Sequence, residues 1–112
     1  MRRLGSDLQD TGGQRILEFS GHAHAENTGQ MRAALASALG GDAETLMVDA
    51  RRVLTIDVAG AAALVQGYLR AEAAGVCFSM QIAPGSEVEH MLDLVGLTET
   101  LRAATASLEA AA

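Results

Sequence analysis

The hydrophobic period of this chain switches between that of a helix and that of a strand, which limits it to folds that pack helices on a sheet. Ala61, Leu64, Val65, Tyr68 and Leu69 recur at helical spacing up to Gly75. Directly afterwards Val76, Phe78, Met80 and Ile82 alternate with Cys77, Ser79 and Gln81, the period of a half-covered strand ended by Ala83-Pro84-Gly85. A helix run into a strand in this way belongs to a layered α/β architecture, with crossovers and a parallel portion in the sheet.

The rest of the chain fits the same plan. Leu4 to Gln9 and Arg15 to Ser20 read as two strands joined at Asp10-Thr11-Gly12-Gly13, hence a hairpin. Asn27 stands three residues before Gln30, the spacing of a capping box, and Met31, Leu35 and Leu39 follow until Gly40-Gly41 stops the helix. Leu46-Met47-Val48, apolar on both faces, reads as a central strand covered on more than one side, with Asp49 at its end and a loop over 50–56. Glu72 is placed at the last turn of the following helix, since a buried unpaired carboxylate would be costly. Ser86 and Glu89 repeat the capping-box spacing before Val88, Met91, Leu92 and Val95, and a further helix is expected over 97–108. The expectation is a single domain over 1–112, frayed at 1–3 and 109–112, with a mixed four- to five-stranded sheet and about four helices mainly on one face.

Composition removes several functions. All eight basic residues are Arg and the formal net charge is −6, so the stripe of cations that grips a phosphate backbone is missing and nucleic acid is not an expected partner. Apolar residues make up 49 % but aromatics only 3 %, so Leu, Val, Ile, Met and Ala must build the core. No apolar run approaches the ~18 residues of a membrane span, and a lone Cys77, read as a small buried hydrophobe, excludes an internal disulfide. A cytoplasmic protein is expected.

Catalytic signatures are also absent: no phosphate loop, no paired cysteines, no H-E-x-x-H helix and no Gly-x-Ser-x-Gly elbow. His22-Ala23-His24 puts two imidazoles on one side of an extended segment, but two ligands do not close a metal site, and these read as exposed loop histidines. Neither a metal nor any cofactor is expected.

What remains is Ile56-Asp57-Val58-Ala59-Gly60. An acidic cap followed by small residues and an alanine-rich run describes a loop ending at an exposed helix start, where free backbone N–H groups and about half a positive charge favour an anion. Yet neither Val58 nor Ala59 can carry a phosphate. Asp57 caps the helix through the N–H of Ala59 or Gly60, either as structure alone or as structure that also holds a docking surface in shape. Arg51 and Arg52 read as a solvated loop face or as contacts to an acidic partner. Thr55 precedes the cap, and a phosphate there would not gain from the helix N–H groups.

With these residues in place, the chain resembles the STAS family, the domain of bacterial anti-sigma-factor antagonists, stressosome components and sulfate-transporter tails. The resemblance rests on Asp49, a spacer over 50–56, and Asp57-Val58-Ala59-Gly60 where the family has Asp-Ser-[Ser/Thr]-Gly. Ser20-Gly21, Gly75 before a strand and the closing segment from Val88 to Gly96-Leu97 add to it. The family's phosphoacceptor serine falls on Val58, and His24 stands where an aspartate is frequent. The resemblance implies a non-catalytic, partner-switching module that docks through Arg52, Asp57, Val58, Ala59, Gly60 and Leu64 without serine phosphorylation of its own. An anti-sigma factor or GHKL-type kinase is the implied partner, with a homodimer allowed. The alternatives are a subunit bound to the ATPase of an ABC lipid or other transporter and, in another class, a small-molecule sensor.

Overall fold

The computed structural model describes residues 3–94 and Gly96. Strand β1 (Leu4–Thr11) turns at Gly12-Gly13 into β2 (Gln14–Ala23), and both glycines have positive φ, 60° and 90°. That is the two-residue hairpin turn whose twist suits antiparallel strands and which side chains resist. A 3₁₀ turn (Ala25–Asn27) leads into α1 (Thr28–Leu39), followed by β3 (Thr45–Ile56), α2 (Val58–Ala73), β4 (Cys77–Gln81) and α3 (Glu87–Leu94). The sheet order is β1-β2-β3-β4; β1 and β2 are antiparallel, and β2, β3 and β4 run parallel. The expected mixed α/β sheet is therefore present, with four strands and three helices among the described residues. The helix expected over 97–108, the position of Val95, the Leu97 of the closing motif and most of the frayed ends lie outside them.

One core joins the inward side chains of the strands, Leu4, Leu17, Phe19, Leu46, Val48 and Phe78, to Met31 and Leu35 of α1, Leu64 and Tyr68 of α2, and Val88 and Leu92 of α3. Tyr68 meets Phe78 edge to face at 5.7 Å, so two of the three Phe and Tyr residues are spent where α2 crosses β4. Among the described residues the helices lie on this face alone. The other face carries Ile16, Glu18, Ser20 and His22 in register with Met47, Asp49, Arg52 and Thr55. Met47 is thus only half-buried, although β3 is central by its pairing, and Cys77 is exposed on the same open face. Both corrections have one cause: the alternation of β4 and the centre of β3 is a one-sided pattern.

The segment 50–56 departs furthest from expectation. It is strand, not loop, and Asp49 ends only the pairing of β3 with β4, whose last partner is Gln81. Beyond it β3 continues beside β2 with register shifts between Glu18 and Ser20 and between Gly21 and His22, each inserting an extra residue in β3. These bulges break the two-residue period and let Arg51 and Arg52, though consecutive, both stand exposed. Glu18 and Asp49 are direct cross-strand neighbours, a repulsive pair on its own. Arg51 answers by forking onto Asp49 (Nε to Oδ1 3.0 Å, Nη2 to Oδ2 2.8 Å), and Arg52 lies 3.8 Å from Glu18. The Arg51 side-chain hydrogen bonds dominate over burial and hold the Asp49 carboxyl below its ordinary range.

The helix starts differ too. Asn27 does not cap α1 with its side chain; its amide donates instead to the His22 carbonyl at 2.7 Å, and Gln30 reaches the Leu4 carbonyl at 2.8 Å. The residues of that expected box tie α1 to the hairpin. Ser86 does cap α3 through the N–H of Glu89 (3.3 Å), while Glu89 accepts from Gly85 at 3.2 Å and not from Ser86 itself. Glu72 lies in the last turn of α2, exposed, and accepts the Tyr68 hydroxyl at 2.6 Å.

Candidate docking site

The α2 start is built by Asp57. Its backbone is extended (φ −108°, ψ −178°), its Oδ1 accepts the Gly60 N–H at 2.8 Å, and its Oδ2 accepts the Ala25 N–H at 3.0 Å. One carboxylate therefore caps α2 and anchors the 3₁₀ turn after β2. Burial opposes its ionisation, but the N–H donors of Gly60 and Ala25, the nearby His24 and the Ala59 N–H outweigh this and hold its pKa below the ordinary value. The junction is pinned further by the Asp57 N–H on the Ala23 carbonyl (3.2 Å) and the Ile56 N–H on Glu87 Oε2 (3.2 Å).

Gly60 is required here by space rather than by φ. A Cβ at this position would overlap the Ala23 carbonyl oxygen and come within 2.8 Å of its carbon. The first turn of α2 thus rests directly on the end of β2. With Asp57 and Gly60 fixed, Val58 is left standing outward, 66 % exposed, and Ala59 is partly exposed.

The other residues named from the sequence separate. Leu64 is 2 % exposed and belongs to the core, so its side chain is not available to a partner. Arg52 sits on the open face of the sheet, paired with Glu18 and opposite Ser20, and not on the helix start. Leu69, read as a core position, is 55 % exposed. It extends an outward line of Val58, Ala62, Val65 and Leu69, of which only Val65 is half-buried. That line was legible as spacings of four, three and four residues, but it overlaps the core stripe so closely that period alone assigns its members to the wrong side.

His22 and His24 are not loop side chains in solvent. Both are half-buried, His22 in the last residues of β2 and His24 just past its end, and both hydrogen-bond the hydroxyl of Thr55, His22 Nδ1 at 2.7 Å and His24 Nε2 at 2.6 Å. Among the described residues no group of three or more His, Cys, Asp or Glu is placed to hold a metal. No helix among them is long and apolar enough to cross a membrane.

Comparison with known proteins agrees with this architecture. The structure resembles an anti-sigma factor antagonist from Mycobacterium paratuberculosis (TM-score 0.78, 16 % identity, 96 % of this chain and 95 % of that one). It also resembles the anti-sigma factor antagonist SpoIIAA in its unphosphorylated form (0.69, 19 %, 83 % and 82 %) and a sulfate transporter family protein from Wolinella succinogenes (0.68, 20 %, 83 % and 75 %). At such identities the likeness establishes the fold. Comparison with curated proteins finds no match. The family model described as Mlab, STAS domain matches residues 6–103, from the first strand past the last described helix. The chain therefore belongs to the STAS domain family.

Proposed function

We propose that this chain is a non-catalytic, cytoplasmic partner-switching module of the anti-sigma-factor-antagonist kind, docking through the start and outer line of α2. The observation that carries this reading is Val58: a large apolar side chain, 66 % exposed, on a helix start that Asp57 and Gly60 hold rigid. A rigid apolar projection loses little freedom when a partner covers it, and Ala62, Val65 and Leu69 extend the same surface along the helix. Asp57 and Gly60 shape this surface, Ala59 lines it, and Leu64 supports it from the core. Arg52 offers a separate cation to an acidic rim.

Two of the structural relatives are anti-sigma factor antagonists, and SpoIIAA is known in phosphorylated and unphosphorylated forms. Val58 has no hydroxyl, so a phosphate cannot interrupt docking at that position. The partner is an anti-sigma factor or GHKL-type kinase. Affinity capture from the native host with the intact chain as bait should recover such a protein, and Val58→Asp should weaken its binding at least tenfold. Burying a valine contributes roughly 1.5–3 kcal/mol, already about a tenfold effect or more, before the cost of desolvating a carboxylate is added. Recovery of a transporter ATPase instead would assign the same surface to the transporter-bound class, and unchanged affinity of Val58→Asp would remove the surface altogether.

A further inference from the structure

The end of β2, the end of β3 and the start of α2 bring four polar side chains into one chain of contacts. His22 Nδ1 and His24 Nε2 both meet Thr55 Oγ1, at 2.7 and 2.6 Å, and the other ring nitrogen of His24 faces Asp57 Oδ2 at 3.5 Å. A threonine hydroxyl has one proton and can serve only one of two imidazoles as donor. The Asp57 carboxylate decides which. Its charge favours the proton of His24 on Nδ1, leaving Nε2 to accept from Thr55, so His22 must donate its Nδ1–H to the same oxygen. The order is then His22 to Thr55 to His24, with Asp57 behind His24. The carboxylate is itself fixed by the N–H groups of Gly60 and Ala25.

A hydroxyl bonded to an imidazole that a carboxylate orients is the arrangement that makes a weak alcohol nucleophilic. We propose that Thr55 is a reactive hydroxyl that takes an acyl group from an activated ester, a modification site separate from the α2 docking surface. In the step, Thr55 Oγ1 attacks the carbonyl carbon of the ester and forms the new C–O bond. The hydroxyl proton passes to His24 Nε2, the bond to the leaving oxygen breaks, and that oxygen takes the proton from His24. The product is a neutral threonine ester. Its neutrality matters, because the Asp57 carboxylate, 3.5 Å from His24, already places a negative charge at this junction and would oppose a phosphate dianion. Thr55 is half-buried on the helix-free side of the sheet, next to an exposed Leu54, so a small ester can reach it.

The probe is p-nitrophenyl acetate applied to the full chain. Cleavage after Arg52 and Arg70 places Thr55 on one peptide with a single other hydroxyl, that of Tyr68, so fragmentation assigns the acetyl group. The expected result is acetylation at Thr55, absent in Thr55→Val, and slowed at least tenfold in His24→Phe, in line with the roughly 10²-fold or greater contribution of a positioned base. Circular dichroism on each variant separates lost reactivity from lost fold. In case His24→Phe does not fold, His22→Phe serves: it keeps the His24 base and must retain labelling at Thr55. Acetyl found at Cys77 or Tyr68 with none at Thr55, or a Thr55 rate indifferent to His24, would overturn the proposal.

Discussion

Replacing Gly60 with alanine tests the close approach of α2 to the end of β2, because the same substitution at Gly29 in α1 should leave stability unchanged or raise it. At Gly60 the new Cβ would sit 2.8 Å from the Ala23 carbonyl carbon, well inside the ~3.5 Å at which carbon atoms begin to attract, and its oxygen is closer still. The obstacle is backbone, so relief requires α2 to lift from the end of β2. Overpacking of this kind typically costs about 1–3 kcal/mol. Lifting the helix also strains the Asp57 hydrogen bonds to Gly60 and Ala25, and losing a cap costs about 1 kcal/mol. Against this, alanine returns up to about 1 kcal/mol of helix propensity. The net is a loss of about 1–3 kcal/mol, which for a domain near this size lowers the melting temperature by roughly 5–15 °C. Gly29 of α1 has nothing within 4 Å of its virtual Cβ, so Gly29→Ala should hold or raise the melting temperature. Gly67, whose Cβ would meet the Leu35 methyl carbons at 2.9 and 3.0 Å, should fall between, since a leucine end can turn aside. Scanning calorimetry of the three variants gives the order directly. If Gly60→Ala melts no lower than Gly29→Ala, the first turn of α2 does not rest directly on the end of β2.

The paired leucines of α2 give a second check: Leu64→Ala should cost about 2–5 kcal/mol in urea unfolding, whereas Leu69→Ala should change stability by less than ~0.5 kcal/mol yet weaken partner binding. Equal effects on stability would contradict their assigned sides. Asp57 gives a pH dependence whose sign follows from its lowered pKa in the folded state. Its stabilising effect should be complete above the ordinary carboxylate value near 3.8 and should be lost as pH falls through the depressed folded value. Acid unfolding of Asp57→Asn should lack that component, and a wild-type curve superimposing on the variant's below neutrality would refute it.

How much of this could be read without coordinates depends on how far apart the determining residues lie. The hairpin at Gly12-Gly13, the helix begun at Asp57 and the strand around Phe78 each follow from neighbours a few positions away, and each was placed correctly. The second half of β3 was not. Its bulges are fixed by pairing with β2, so the sequence of Arg51, Arg52, Val53 and Leu54 shows no two-residue period from which to recognise a strand. Asn27 and Gln30 have the right spacing for a local cap but satisfy the carbonyls of His22 and Leu4 instead, the latter 26 residues away.

For the site the division is similar. By itself the sequence determined that Asp57 would cap a helix and that an apolar valine would follow it, since both are statements about adjacent residues. Only the tertiary structure decided that Leu64 is core and Leu69 is surface, because both lie on overlapping helical stripes and the sheet settles which one is covered. It alone joined His22 and His24 to Thr55, 33 and 31 residues away, into one polar junction at the start of α2. A periodic pattern records which side of an element meets the core, but not which distant element arrives there, and the chemistry of this junction depends on that arrival.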